Sequence, residues 1–147
     1  MRRVSRRFLL MIAMAAAVGG LSRAQAESPG RRALSGYDPV SYFTAGHPER
    51  GSAEFSFPFD DTTYWFASEA HRKMFAADPE RYAPQFNGYC ALSVSRGLKV
   101  EADPEAWTIS NGKLFVFGSK NAVSEFKANA SEIADKANSA WVALKAN

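Results

Sequence analysis

A single cysteine, Cys90, is the feature that most narrows the folds open to this 147-residue chain. With one thiol no intrachain disulfide can form, so an apolar core and hydrogen bonds must hold whatever folds. The demand is sharpened by a start that reads as that of an exported protein, because small exported domains commonly rely on disulfides. Arg2, Arg3, Arg6 and Arg7 precede an uncharged run from Phe8 to Leu21, and Ser22-Arg23-Ala24-Gln25-Ala26 follows. That is the order of a secretory signal: a basic start, an apolar middle and a small-residue cleavage site. The apolar run is rich in Ala and Gly and falls short of the roughly 20 apolar residues needed to cross about 30 Å of hydrocarbon. Residues 1–26 are therefore expected to be a signal peptide, with the mature chain periplasmic or secreted. Ser5-Arg6-Arg7-Phe8-Leu9-Leu10 favours the twin-arginine route, in which paired arginines stand before an apolar run of modest hydrophobicity.

Cleavage would also reverse the charge balance. Five of the 18 Lys and Arg lie in residues 1–26 and none of the 15 Asp and Glu do, so the remainder carries 13 positive and 15 negative side chains. The basic balance belongs to the precursor, and nucleic acid is not an expected partner. Nor is a transmembrane segment expected after cleavage. Glu27 to Ala33 is polar and rich in breakers, which predicts a flexible leader over residues 27–33. The rest, 34–147, is long enough for one core-bearing domain, and its Trp, Tyr and Phe side chains can each bury on the order of 150–250 Å².

Asp38-Pro39 reads as an N-cap followed by proline, opening a short helix through Val40, Tyr42 and Phe43 that Gly46 and Pro48 end. Phe55, Phe57 and Phe59 alternate with Glu54, Ser56 and Pro58, the period of a strand whose proline suggests an edge or a bulge. Asp60-Asp61-Thr62 turns the chain into a second strand over Thr63 to Ala67. Ser68 starts a helix bearing Met74 and Phe75 that Asp78-Pro79 interrupts. Tyr89 to Val94 fits helix or strand by composition, with helix preferred for its Ala and Leu. Trp107 to Ile109 and Leu114 to Phe117 flank Asn111-Gly112, the pair that supplies the positive φ values of a type I′ turn. From Ser119 the spacing of Val123, Phe126, Ile133, Ala137, Trp141 and Leu144 predicts helix to the end. The sum is a small α+β domain of two β-hairpins and several helices. No internal repeat is evident.

From Gly36 to Trp141 the chain resembles the exported YHS-domain proteins. The matching stretches are Gly36-Tyr37-Asp38-Pro39-Val40-Ser41-Tyr42-Phe43, Tyr64-Trp65-Phe66-Ala67-Ser68, Phe75 with Asp78-Pro79 and Tyr82-Ala83-Pro84-Gln85, Gly88-Tyr89-Cys90-Ala91, Asp103-Pro104-Glu105-Ala106-Trp107 and Asn111-Gly112-Lys113-Leu114. Short YHS domains, found beside copper-transporting ATPases and some oxygenases, are similar to metal-binding treble-clef-like modules. They carry Asp-Pro-Val-Cys near the start and Phe-Cys-Ser-x-x-Cys after the aromatic strand. In this chain those three cysteine places hold Ser41, Ala67 and His71, so two of them have become non-ligands or poor ones.

The resemblance implies a non-enzymatic binding module, with a transition metal such as copper as the ligand to expect. Candidate metal ligands are Cys90 and His71, with Met74 third, a donor set of N and S atoms that suits copper. Cys90 and His71 lie 19 residues apart, without the close spacing of a metal motif. His47, in a Gly-His-Pro turn, reads as plain surface. A structural or interaction domain that kept the fold and lost the metal is the alternative, with a protein as its partner. Trp65, opposite Tyr64 and Phe66 on the strand, would favour such a partner if exposed. A thiol-dependent enzyme using Cys90, with His71 as base and Asp78 or Glu69 to orient it, is a third reading. No Ser nucleophile motif, phosphate loop or His-Glu-x-x-His helix is present, so an enzyme is not expected. The acidic run Glu101 to Glu105 reads as solvated loop.

Overall fold

The computed structural model describes residues 30–147, and the expected signal peptide over residues 1–26 and residues 27–29 of the expected leader lie outside the described residues. Strand β1 (Arg31–Arg32) leads through a tight turn at Ala33–Gly36 to helix α1 (Ser41–Thr44). A hairpin of β2 (Ser52–Phe59) and β3 (Thr62–Phe66) precedes helices α2 (Glu69–Ala77) and α3 (Pro79–Tyr82). A second tight turn at Gln85–Gly88 opens α4 (Ala91–Ser95), a hairpin of β4 (Asp103–Ser110) and β5 (Lys113–Phe117), and helices α5 (Lys120–Ala128) and α6 (Ala130–Lys145). The fold is α+β, with sheets in the order β1-β3-β2 and β4-β5. No helix among the described residues is long and apolar enough to cross a membrane.

This order is one unit written twice. β2 and β4 are both 8 residues long, β3 and β5 both 5, and α2 and α5 both 9. Each hairpin breaks register at the equivalent place, between Ser52 and Ser56 in the first and between Asp103 and Trp107 in the second. The serines before α2 and α5, Ser68 and Ser119, each cap their helix by accepting the backbone N–H three residues on, from His71 and from Ala122. Both tight turns hold two non-glycine residues and then a glycine at positive φ: Leu34, Ser35 and Gly36, then Phe86, Asn87 and Gly88. The residue after each glycine, Tyr37 or Tyr89, forms a lone antiparallel bridge, to Arg50 or to Glu101. The expectation of no internal repeat is corrected here. The halves share backbone geometry but few side chains, chiefly Gly36-Tyr37 with Gly88-Tyr89 and the phenylalanines and serines at 66, 68 and 75 with those at 117, 119 and 126.

Each half has its own apolar core, and β5 joins them. Phe75 of α2 packs against Phe57, Phe59, Tyr64 and Phe66; Phe126 of α5 packs against Phe115 and Phe117. Leu114 and Val116 of β5 point into the first core while Phe115 and Phe117 point into the second. A strand buried on both faces reads as a continuous apolar run, as Leu114 to Phe117 does. The halves are also tied by the Tyr42 hydroxyl, which donates to the Pro104 carbonyl at 2.8 Å, and by Tyr42 edge-on to Trp107.

Three further expectations need correction. The flexible leader ends before Arg31: β1 pairs in parallel with Thr62 and Thr63, and Ala33 is fully buried. The charge at 31 and 32 hid this, because both arginines lie over aromatic rings, Arg31 on Tyr89 and Arg32 on Trp65. Trp65 is accordingly half-buried, between Arg32 and Gly36. The acidic run is not free loop: Glu101 accepts two hydrogen bonds from Arg31, and Asp103 to Glu105 lie in β4. The last helix breaks at Asn129 (φ −140°, ψ 41°), so α6 can fold back over the second core.

Tyr64 is fully buried, and its hydroxyl finds no hydrogen-bond partner among the described residues. Burial pushes the hydroxyls of both Tyr64 and Tyr42 well above the ordinary tyrosine range. An unsatisfied buried hydroxyl costs about 1–3 kcal/mol in desolvation. Tyr64→Phe should therefore leave stability unchanged or raise it by about 1 kcal/mol. A urea titration showing a loss above that figure would mean that the hydroxyl has a partner, such as a bound water.

Candidate functional site

Asp38 is fully buried and, among the described residues, is the most richly hydrogen-bonded acid. The turn at Ala33–Gly36 and the bridge of Tyr37 to Arg50 bring its backbone inward, where its N–H donates to the Glu49 carbonyl at 2.8 Å. One carboxylate oxygen, Oδ1, accepts the Val40 N–H at 2.7 Å. The other, Oδ2, accepts the Ala67 N–H at 2.9 Å and faces His71 Nδ1 at 2.5 Å. The Ser41 hydroxyl donates to the Asp38 carbonyl at 2.7 Å and accepts the Glu49 N–H at 3.1 Å. One side chain thus fastens the start of α1, the end of β3 and the first turn of α2.

His71 sits in that first turn because Ser68 caps the helix three residues earlier. Its Nδ1 is committed to Asp38, which orients the ring and leaves Nε2 on the outer side, 3.3 Å from the Thr44 hydroxyl. The side chain is 19 % exposed. An imidazole oriented by a buried carboxylate is the arrangement in which metal-binding and proton-accepting histidines are commonly held.

Of the other predicted ligands, Met74 shares α2 with His71 and Cys90 lies elsewhere. Met74, one turn after His71 on α2, is 37 % exposed. Cys90 is 3 % exposed and packs in the second core, with its Sγ beside Gly118. His47 is exposed, with Nδ1 3.2 Å from the Pro48 carbonyl. Of the proposed orienters, Glu69 pairs with Arg72, whose guanidinium holds its carboxyl below the usual range, and Asp78 ends α2.

The repeat accounts for the separation of Cys90 from His71. Cys90 follows Gly88-Tyr89 as Asp38 follows Gly36-Tyr37, and its N–H donates to the Val100 carbonyl at 2.8 Å, as that of Asp38 does to Glu49. In the second half Gly118 stands for Ala67 and Ala122 for His71, so a small apolar cluster replaces the polar hub. Cys90 is the counterpart of Asp38 and belongs to the other half.

Sequence reasoning missed Asp38 as a site residue by treating it as a helix cap. Asp38 does bond the Val40 N–H, but α1 starts at Ser41 with Val40 at its N-cap and no side-chain cap, so the longer contacts decide the role of Asp38. Among the described residues no group of three or more His, Cys, Asp and Glu side chains is placed to hold a metal ion. No family model matches the chain, and neither a curated protein nor a solved structure does.

Proposed function

We propose that this protein is an exported, non-enzymatic binding module of the YHS type, in which a hydrogen-bonded aspartate has taken over the organising role of the metal. One observation carries the reading. The three positions that the resemblance implies as cysteine places, Ser41 and, a long way on in sequence, Ala67 and His71, all bond to Asp38. A bound cation gathers three chain segments by attracting their donors. Here Asp38 gathers the same segments, its carboxylate accepting the Val40 and Ala67 N–H groups and pairing with His71 Nδ1 while its main-chain carbonyl accepts the Ser41 hydroxyl, which needs no metal.

The test is thermal unfolding of the protein purified from its export compartment, with excess EDTA and with one equivalent of Cu(II), Cu(I) or Zn(II). The expected result is a midpoint that none of these moves by more than about 1 °C. A chelator-induced drop of several degrees would show that a metal still organises the fold.

A second reading keeps the transition metal, copper foremost, and is favoured by the orientation of His71. With Nδ1 held by Asp38, Nε2 is the nitrogen offered outward, and Met74 supplies a thioether one turn on. This reading expects about one equivalent of copper, lost in His71→Ala and weakened at least about tenfold in Met74→Leu. Cys90→Ser decides whether the thiol belongs to the site: copper uptake unchanged in that variant would remove Cys90 from the ligand set.

A further inference from the structure

Away from Asp38, a cleft of about 410 Å³ opens between the end of β4, the start of β5 and the first half of α6. Its size lies within the range of small-molecule sites. Two side chains of opposite charge border it, Lys113 at the start of β5 and Asp135 on α6. Among the described residues neither belongs to an ion pair, although Lys136 and Glu132 beside them on α6 do pair, as do Lys145 and Asp60. Lys113 and Asp135 do not pair with each other either, yet both border one cavity.

Gln85, Asn111 and Asn138 line the same cleft, and their side-chain amides can each donate and accept. Phe115 and Ala134 add an apolar wall. An unpaired ammonium group and an unpaired carboxylate bordering one cleft, with amides and a small apolar surface beside them, supply the chemistry that complements a zwitterion. We infer that this cleft binds a small molecule of the α-amino-acid type, a free amino acid or short peptide, with its carboxylate at Lys113 and its ammonium group at Asp135. Gln85, Lys113 and Asn138 also border a neighbouring cleft of about 350 Å³, which gives room for a second residue. No residue around Asp38 takes part, so the inference stands or falls apart from the metal question.

The pairing of charges gives a sharp test. Amide chemical shifts of the full mature chain are followed while L-leucine, glycyl-L-leucine, N-acetyl-L-leucine amide and glucose are added in turn. At least one zwitterion should saturate shifts at residues of the cleft, and the end-blocked analogue should bind at least about tenfold more weakly, having lost both charges. Lys113→Gln and Asp135→Asn should each weaken the zwitterion at least about tenfold; both positions are exposed, so the fold is preserved. The inference is overturned if no zwitterion gives a saturable shift up to about 10 mM, or if either variant binds as the parent does. Equal binding of the blocked analogue, or stronger binding of glucose at the same residues, would likewise reassign the cleft to a neutral ligand.

Discussion

Replacing Asp38 with alanine should lower the unfolding free energy by about 4 kcal/mol, the largest single-residue effect expected in this molecule. The substitution strips the acceptor from two backbone N–H groups, Val40 at 2.7 Å and Ala67 at 2.9 Å, and removes the partner of His71 Nδ1. Val40 is fully buried, so its N–H cannot turn to water, and the removed side chain leaves a hole where nothing is exposed. Against a total stability of about 5–15 kcal/mol, such a loss can leave the chain largely unfolded. His71→Ala removes one contact of the three and should cost about 1–2 kcal/mol. Urea unfolding of the single variants and of the double variant measures both effects, and the double should cost clearly less than the sum because the contact is shared. A loss below about 1 kcal/mol for Asp38→Ala would show that the hub is ornamental, and the proposed function would lose its basis.

Gly51→Ala should be nearly as damaging, at about 3 kcal/mol, and for a different reason. Gly51 enters β2 beside the end of β3, where its N–H donates to the Gly36 carbonyl at 2.8 Å. A methyl group there would lie 2.6 Å from the Trp65 carbonyl carbon, 2.7 Å from its oxygen and 2.8 Å from the Gly36 oxygen. All three are backbone atoms, which cannot rotate away as a side chain could, so β2, β3 and the turn at Ala33–Gly36 would have to separate. Gly97→Ala is the control: Gly97 has a φ of +81° but open space where a methyl would go, so only backbone strain applies. That strain is about 1 kcal/mol. If the two substitutions cost the same, the close approach at Gly51 is not what excludes a side chain.

Both effects sit around the same turn. Gly36 lies under the Trp65 ring, Gly51 bonds to its carbonyl, and Asp38 follows two residues on. The candidate site is therefore held from below by backbone packing and from within by one carboxylate, which keeps His71 fixed in the absence of any disulfide. A rigid frame of this kind suits a module that presents a histidine or a cleft at its surface.

Local chemistry determined much of this protein. The alternation of Phe55, Phe57 and Phe59, the positive-φ pair Asn111-Gly112, and the serines at 68 and 119 set both hairpins and both capped helices, because strand period, turn type and helix cap depend on neighbours within a few residues. The edge position of β2, signalled by Pro58, follows in the same way. What only the tertiary structure decided is how distant residues meet. Asp38 reaches Ala67 and His71 across 29 and 33 residues, a pairing that no period or cap encodes. Cys90 and His71 stay apart because the halves repeat in backbone while Asp38 and Cys90 differ at the equivalent point. The duplication itself was hidden for the same physical reason: equal turns, bulges and caps tolerate many side chains, so backbone likeness outlasts likeness in residues.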